Sequence, residues 1–209
     1  MNLPDSSTPT IFIVDDDDAF RDSLEALCES VDLVTESYAD GRSFLDAFDP
    51  DRLGCLLLDV RMPGISGLEV QVELTSRECR LPIIFLTGHG DIEMAVTAMK
   101  RGARDFLTKP IRHQDLLDRV HAALREADLD LAERLEHAEL EARMARLTPR
   151  ETEVFELVVE GLPNKVISNR LDISQRTVEL HRAQVMKKME ADSLADLVRS
   201  AIHLEEGGR

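Results

Sequence analysis

Four short stretches of this 209-residue chain carry side chains that could do phosphoryl chemistry. Asp15, Asp16, Asp17 and Asp18 follow the apolar run Ile11–Val14; Asp59 ends CLLLD; Thr87 ends PIIFLT; Lys109-Pro110 ends DFLTKP. Crowded carboxylates repel one another and call for a hard divalent cation with oxygen ligands, Mg²⁺ (or Mn²⁺) being the natural choice. Beside such a cation a carboxylate can act as nucleophile and hold an acyl phosphate. A hydroxyl and an ammonium can then donate to the phosphoryl oxygens and offset their charge. Taken singly, each acid is also a helix cap or a solvated loop residue, and Lys109 a surface ammonium.

These residues converge only if the apolar runs are neighbouring strands. Runs at 11–14, 33–36, 55–59, 82–87 and 105–108 alternate with amphipathic stretches at about 18–30, 41–48, 67–77 and 91–101. Strands this apolar are buried on both faces, and their alternation with helices implies a parallel, doubly wound α/β sheet of flavodoxin-like type. With strand order 2-1-3-4-5, the ends bearing Asp15, Asp59, Thr87 and Lys109 meet at the carboxyl edge, where such folds bind ligands.

From about 113 to 146 a helix is predicted, with no Gly or Pro between Ile111 and Thr148 and with Leu117, Leu124, Leu131, Ala138 and Ala145 at heptad spacing. Two readings stay open: a dimerising coiled coil weakened by its alanines, or first turns that close the α/β core followed by a solvated spacer. Thr148-Pro149-Arg150-Glu151 then reads as a capping box with Pro at the first helical position. Helices are predicted over 149–160, 164–171, 174–189 and 193–204, with Ile173 plugging the turn before Ser174 caps the third. The expected layout is a flexible N-terminus (1–10), an α/β domain (11–125), a helical linker (126–146) and an all-α four-helix domain (147–209). A tight helix pair of this kind puts its second helix into a DNA major groove. Asn164, Lys165, Arg176, Thr177, His181, Arg182, Lys187 and Lys188 supply donors there. A plain four-helix unit with scattered charges is the alternative.

The motifs IVDDD (13–17), LLLDVRMPGISG (56–67), LTGHGD (86–91) and DFLTKP (105–110) resemble the receiver domain of response regulators. LTPRETEVFELVVEGLPNKVISNRLDISQRTVELH is similar to the LuxR-type helix-turn-helix, and over about residues 10–205 the chain resembles the FixJ branch. The resemblance implies that Asp59 accepts phosphate from a sensor histidine kinase. Asp15, Asp16, Asp59 and the backbone carbonyl of Arg61 would hold Mg²⁺. Thr87 and Lys109 would bind the phosphoryl oxygens, and Phe106 would be the aromatic switch; by its residues alone Phe106 is equally an ordinary core aromatic. Lys109-Pro110 is expected as a cis peptide. Gly88 leaves the pocket open, and Arg61 and His89 flank it. On the DNA side, Glu179, Leu180, Arg182 and Ala183 would lie nearest the base edges. Glu179 stands where many relatives carry Lys.

The implied protein is a transcription factor that pairs through its phosphorylated receivers and acts on promoter DNA with RNA polymerase, in the main as an activator. It accepts a phosphoryl group without being a turnover enzyme. A competing class, the aspartyl-phosphate phosphatases, shares Asp15-x-Asp17 but expects an apolar or hydroxyl residue soon after it, where this chain has Asp18-Ala19. A phosphorylation-dependent protein adaptor is the other competitor.

Composition sets the outer bounds. Three cysteines without metal-ligand or C-x-x-C spacing fit reduced thiols and a cytoplasmic setting. No apolar run approaches membrane-spanning length, and residues 1–10 lack a secretory pattern. A net charge of −16 argues against nucleic acid until its distribution is seen. Residues 1–113 hold 11 basic and 21 acidic side chains, whereas 163–188 hold six basic against two acidic.

Overall fold

The computed structural model describes residues 8–88 and 92–207. They divide into two compact units, one running to Leu131 and one from Ala132, a break inside the stretch that the sequence assigns to the linker.

In the first unit, β1 (Thr10–Val14), β2 (Val34–Tyr38), β3 (Gly54–Asp59), β4 (Ile83–Thr87) and β5 (Asp105–Thr108) form one parallel sheet in the order β2-β1-β3-β4-β5. The helices are α1 (Asp18–Glu29), α2 (Gly41–Ala47), α3 (Gly67–Ser76), α4 (Ile92–Lys100) and α5 (His113–Met144), which continues into the second unit. The central strands β1, β3 and β4 are wholly buried, as apolar runs covered on both faces must be. The edge strand β2 is a correction: it sits at 34–38 rather than 33–36 and is only partly buried, because one side has no neighbouring strand and the middle of VTESY is polar.

Two cores flank the sheet. Phe12, Phe44, Phe48, Leu56, Leu58, Val70 and Phe85 fill one; Ile11, Ile13, Leu24, Leu57, Ile84, Leu116, Val120 and Ala123 fill the other. The stripe of α5 that enters the core is Leu116, Val120, Ala123 and Ala127, at spacings of four, three and four. The heptad row therefore lies beside the buried stripe, with Leu117 and Leu124 half-buried and Ala138 and Ala145 exposed. Cys28 and Cys55 are free thiols inside the second core, and burial pushes the Cys28 thiol up to about 11. Such thiols are inert.

The second unit contains α6 (Pro149–Val159), α7 (Asn164–Leu171), α8 (Gln175–Lys188) and α9 (Leu194–Gly207) around Val154, Phe155, Val158, Ile167, Val178, Val185, Met189 and Leu197. Met144 and Leu147 pack on the same core, so the last turn of α5 is part of this unit. Thr148 accepts from the Glu151 amide while the Glu151 carboxylate takes the Thr148 N–H at 2.7 Å, the reciprocal capping box expected from the sequence.

Candidate functional site

Sheet register brings the chemical residues together. Val14 lies opposite Leu58, Asp59 opposite Leu86, and Thr87 opposite Thr108, so the residues that follow each strand emerge along one edge. The Lys109 N–H donates to the Thr87 carbonyl at 2.6 Å, tying the last two strand ends together. Lys109-Pro110 is cis.

At this edge the Lys109 ammonium donates to Asp15 Oδ2 at 2.6 Å and to Asp59 Oδ1 at 2.7 Å. Asp15 is fully buried and Asp59 is 6% exposed. The other oxygens are also engaged: Asp15 Oδ1 accepts the Asp17 N–H at 3.0 Å, and Asp59 Oδ2 accepts the Arg61 N–H at 2.7 Å. Burial pushes the Asp59 carboxyl above its ordinary range, against the lowering pull of Lys109. Burial alone would lower Lys109, but its hydrogen bonds to the two aspartates outweigh that and raise it. The ammonium is thus held charged by the two acids it joins.

Asp16 is exposed, and among the described residues no group of three or more His, Cys, Asp or Glu side chains is gathered to hold an ion. The structure brings Asp15 and Asp59 together through Lys109, while Asp16, next to Asp15 in the chain, is exposed. The donor set nevertheless suits a hard cation: two buried carboxylates with all-oxygen chemistry, balanced by a single ammonium. Thr87 is 2% exposed, and the space where Gly88 would carry a Cβ is open. Phe106 is half-buried against the first core. His89 lies outside the described residues.

Several contributors were missed in the sequence. Arg21 of α1 donates to the Asp15 backbone carbonyl at 2.6 Å, and Lys109 Nζ lies 4.2 Å from the centre of the Phe20 ring. At Gly67 a Cβ would sit 2.2 Å from the Asp59 carbonyl oxygen, so α3 can start this close to the aspartate only with glycine there. The glycine stands in the quoted motif, but only the fold reveals what it faces.

The second constellation lies on α7 and α8. Asp172 adopts a left-handed conformation (φ 54°) between the helices, Ile173 packs inward, and Ser174 Oγ accepts the Thr177 N–H at 3.1 Å. Val178 and Val185 face the core. Lys165, Arg176, Glu179, Leu180, Ala183 and Lys187 are exposed, while Asn164, Thr177, His181 and Arg182 are half-buried. Asn164 Oδ1 accepts from Arg182 at 3.0 Å, joining the start of α7 to α8. Lys188 departs from this face. Its ammonium donates to the buried Glu151 carboxylate at 2.6 Å, which gives it a partner inside the unit. That bond and the Thr148 amide hold the Glu151 carboxyl down to about 2.

The model of the response regulator receiver domain matches residues 11–121, and that of bacterial regulatory proteins of the luxR family matches 145–201. The chain belongs to the response regulator family. Its relatives agree along nearly the whole length. The transcriptional regulatory protein FixJ of Bradyrhizobium diazoefficiens is 43% identical over 192 residues, covering 92% of this chain and 94% of FixJ. Nodulation protein W of the same organism is 45% identical over 208 residues, covering 96% and 92%. The solved structure of the response regulator StyR matches with a TM-score of 0.86 at 42% identity, covering 93% of this chain and 98% of StyR. This response regulator therefore joins a receiver to a LuxR-type DNA-binding domain and regulates transcription in a phosphorylation-dependent way. Its family implies a histidine kinase partner, promoter DNA and, in the receiver, Mg²⁺. Among the described residues no helix is long and apolar enough to cross a membrane.

Proposed function

We propose that Asp59 is the phosphoryl acceptor and that Asp15, Asp16, Asp59 and the Arg61 carbonyl hold Mg²⁺ (or Mn²⁺). The observation that carries this reading is the Lys109 ammonium held between Asp15 and Asp59 at 2.6 and 2.7 Å. An Asp59 oxygen attacks the phosphorus of the kinase's phosphohistidine. The new O–P bond forms as the P–N bond breaks, and the imidazole leaves. The cation would supply charge neutralisation for the phosphoryl oxygens. Lys109 exchanges its Asp59 contact for a phosphoryl oxygen, and Thr87 donates a second hydrogen bond. This is a single transfer to an acceptor, not turnover of a substrate.

The consequence runs outward along β4 and β5. Thr87 moves toward the phosphoryl group, Phe106 turns into the space released, and the face of α4 and β5 becomes a surface on which two receivers pair. Val96 and Met99 of α4 are 48% and 46% exposed, which supports a pairing role for that face. Pairing brings two DNA-reading domains onto a two-fold site. Asn164, Lys165, Arg176, Thr177, His181, Arg182 and Lys187 position the phosphate backbone, and Glu179, Leu180, Arg182 and Ala183 approach the bases. Recruitment of RNA polymerase, and so activation in the cytoplasm, completes the reading. For domain bounds, we assign the receiver to 11–125, the linker to 126–146 and the DNA-binding domain to 147–209.

The test uses acetyl phosphate and Mg²⁺ on the wild type and on Asp59→Asn, followed by intact mass, molecular size and operator binding. An adduct on the wild type alone, with growth to a dimer and stronger DNA binding, is expected. Undiminished stimulation of the Asn variant would sink the switch.

A further inference from the structure

On α8, the large apolar residues other than one sit where helical geometry puts them inside: Val178 is fully buried, Val185 is 1% exposed and Met186 is half-buried against the core. Leu180 is 63% exposed. It stands two residues from Val178, about 200° around the helix, on the side opposite the core. Its neighbours on that outer row are Arg176, Ala183 and Lys187, all exposed and spaced four and three residues apart. Beside it is Glu179, the single acid among the residues of α8. Glu179 is exposed and makes no ion pair or hydrogen bond among the described residues, although Arg176 and Arg182 lie three residues to either side. The Arg182 guanidinium is turned to Asn164 instead.

An exposed leucine and a free carboxylate are both costly on a surface that approaches phosphates, since neither attracts the backbone and the acid is repelled by it. In the major groove each has one complementary group. The thymine C5-methyl is the apolar feature of that groove, and the cytosine N4 amino group is the donor that a Glu accepts from. Both residues lie in the first two turns of α8, the part of a recognition helix that meets base edges.

We infer that Leu180 and Glu179 set the base sequence this protein reads, Leu180 by packing on a thymine methyl and Glu179 by accepting from a neighbouring cytosine amino group in each half-site. The inference rests on α8 being the DNA-reading helix. Side chains one residue apart rise about 1.5 Å along the helix, so the two bases fall within about two base pairs of one another.

The experiment selects binding sites from random duplexes with the full chain phosphorylated by acetyl phosphate and Mg²⁺. Each thymine of the selected site is then replaced by deoxyuracil, which removes only the methyl. One thymine per half-site should be sensitive, weakening binding about fourfold, the value of one buried methyl. Leu180→Ala should be indifferent to that replacement. Glu179→Gln should move the preference at the neighbouring position from cytosine to adenine by about fivefold or more. Selection of a clear site in which no thymine methyl matters and Glu179→Gln leaves every preference unchanged would overturn the inference while leaving DNA binding intact; Leu180 would then face a protein. Failure to select any site would overturn the DNA-reading assignment itself and this inference with it. The deoxyuracil scan needs no variant, so a misfolded substitution does not decide the matter.

Discussion

Asp15 and Asp59 share one ammonium in a pocket that excludes most water, so the electrostatics of the site turn on Lys109. Replacing it leaves two buried carboxylates facing each other with no counter-charge. Breaking a buried pair costs about 3–5 kcal/mol, and the 24% exposure of the Lys109 side chain reduces that to about 1–3 kcal/mol. Lys109→Met should therefore melt several degrees lower than the wild type in a chelator, and millimolar Mg²⁺ should raise its Tm more than it raises the wild type's. Equal melting and equal Mg²⁺ response would show that Lys109 carries no such burden. A comparable argument holds for Glu151, whose carboxyl is lowered to about 2 by Lys188 and the Thr148 amide. A group with a depressed folded value stabilises above its unfolded value, here the ordinary 4.5, and loses that contribution as pH falls toward about 2. The wild type should protect the amides of α6 and α8 from hydrogen exchange better than Glu151→Gln does at pH 6, and the gap should close between about pH 4.5 and 2. A gap that persists at pH 2 would contradict the ionic assignment.

Helix α4, on whose face the proposed pairing depends, is held at its C-terminal end by one buried side chain. Gln71 of α3 is 1% exposed, and its amide nitrogen donates to the Ala98 carbonyl at 3.0 Å and the Arg101 carbonyl at 3.3 Å. Its carbonyl oxygen is buried with no hydrogen-bond partner. Gln71→Leu removes two bonds to carbonyls at a helix end but also relieves an unpaired oxygen, so the net destabilisation should be small, about 1 kcal/mol. Loosening should be local, with faster amide exchange in the turn after Lys100 than elsewhere in the receiver; unchanged exchange there would show that Gln71 is no tether. This contact also marks the limit of what the sequence makes legible. The five strands, the capping box at Thr148 and the convergence of Asp15, Asp59 and Lys109 follow from apolar runs and local spacing. Gln71 reaches residues 27 and 30 positions away, and Glu151 reaches Lys188 across 37, so no local pattern announces them. The same holds for α5: its heptad of leucines is conspicuous, but the sheet selects Leu116, Val120, Ala123 and Ala127, because burial is decided by what the helix rests on. The bounds of edge strand β2 are illegible for a like reason, since one open side removes the continuous apolar run that marks its neighbours.

Across the whole molecule, 41 acidic side chains oppose 25 basic ones, and phosphorylation adds about 1.5–2 further negative charges. Charge alone therefore drives the activated protein away from DNA, and stronger binding after phosphorylation has to come from arrangement, two domains meeting one site together. The attraction that remains within 163–188 is confined to Lys165, Arg176, Arg182 and Lys187, because Arg170 is paired with Glu160 and Lys188 with Glu151. Two copies supply eight cations, for which the slope of log affinity against log salt should be about −7. Lys187→Ala should flatten that slope by about 2 in the dimer and weaken binding to every sequence alike. Lys188→Ala should leave the slope near its original value and instead lower the melting temperature of the C-terminal unit, since it strands a buried carboxylate. If Lys188→Ala flattens the slope as much as Lys187→Ala does, the ion pair with Glu151 opens on DNA and the phosphate-facing surface is wider than α7 and the outer row of α8.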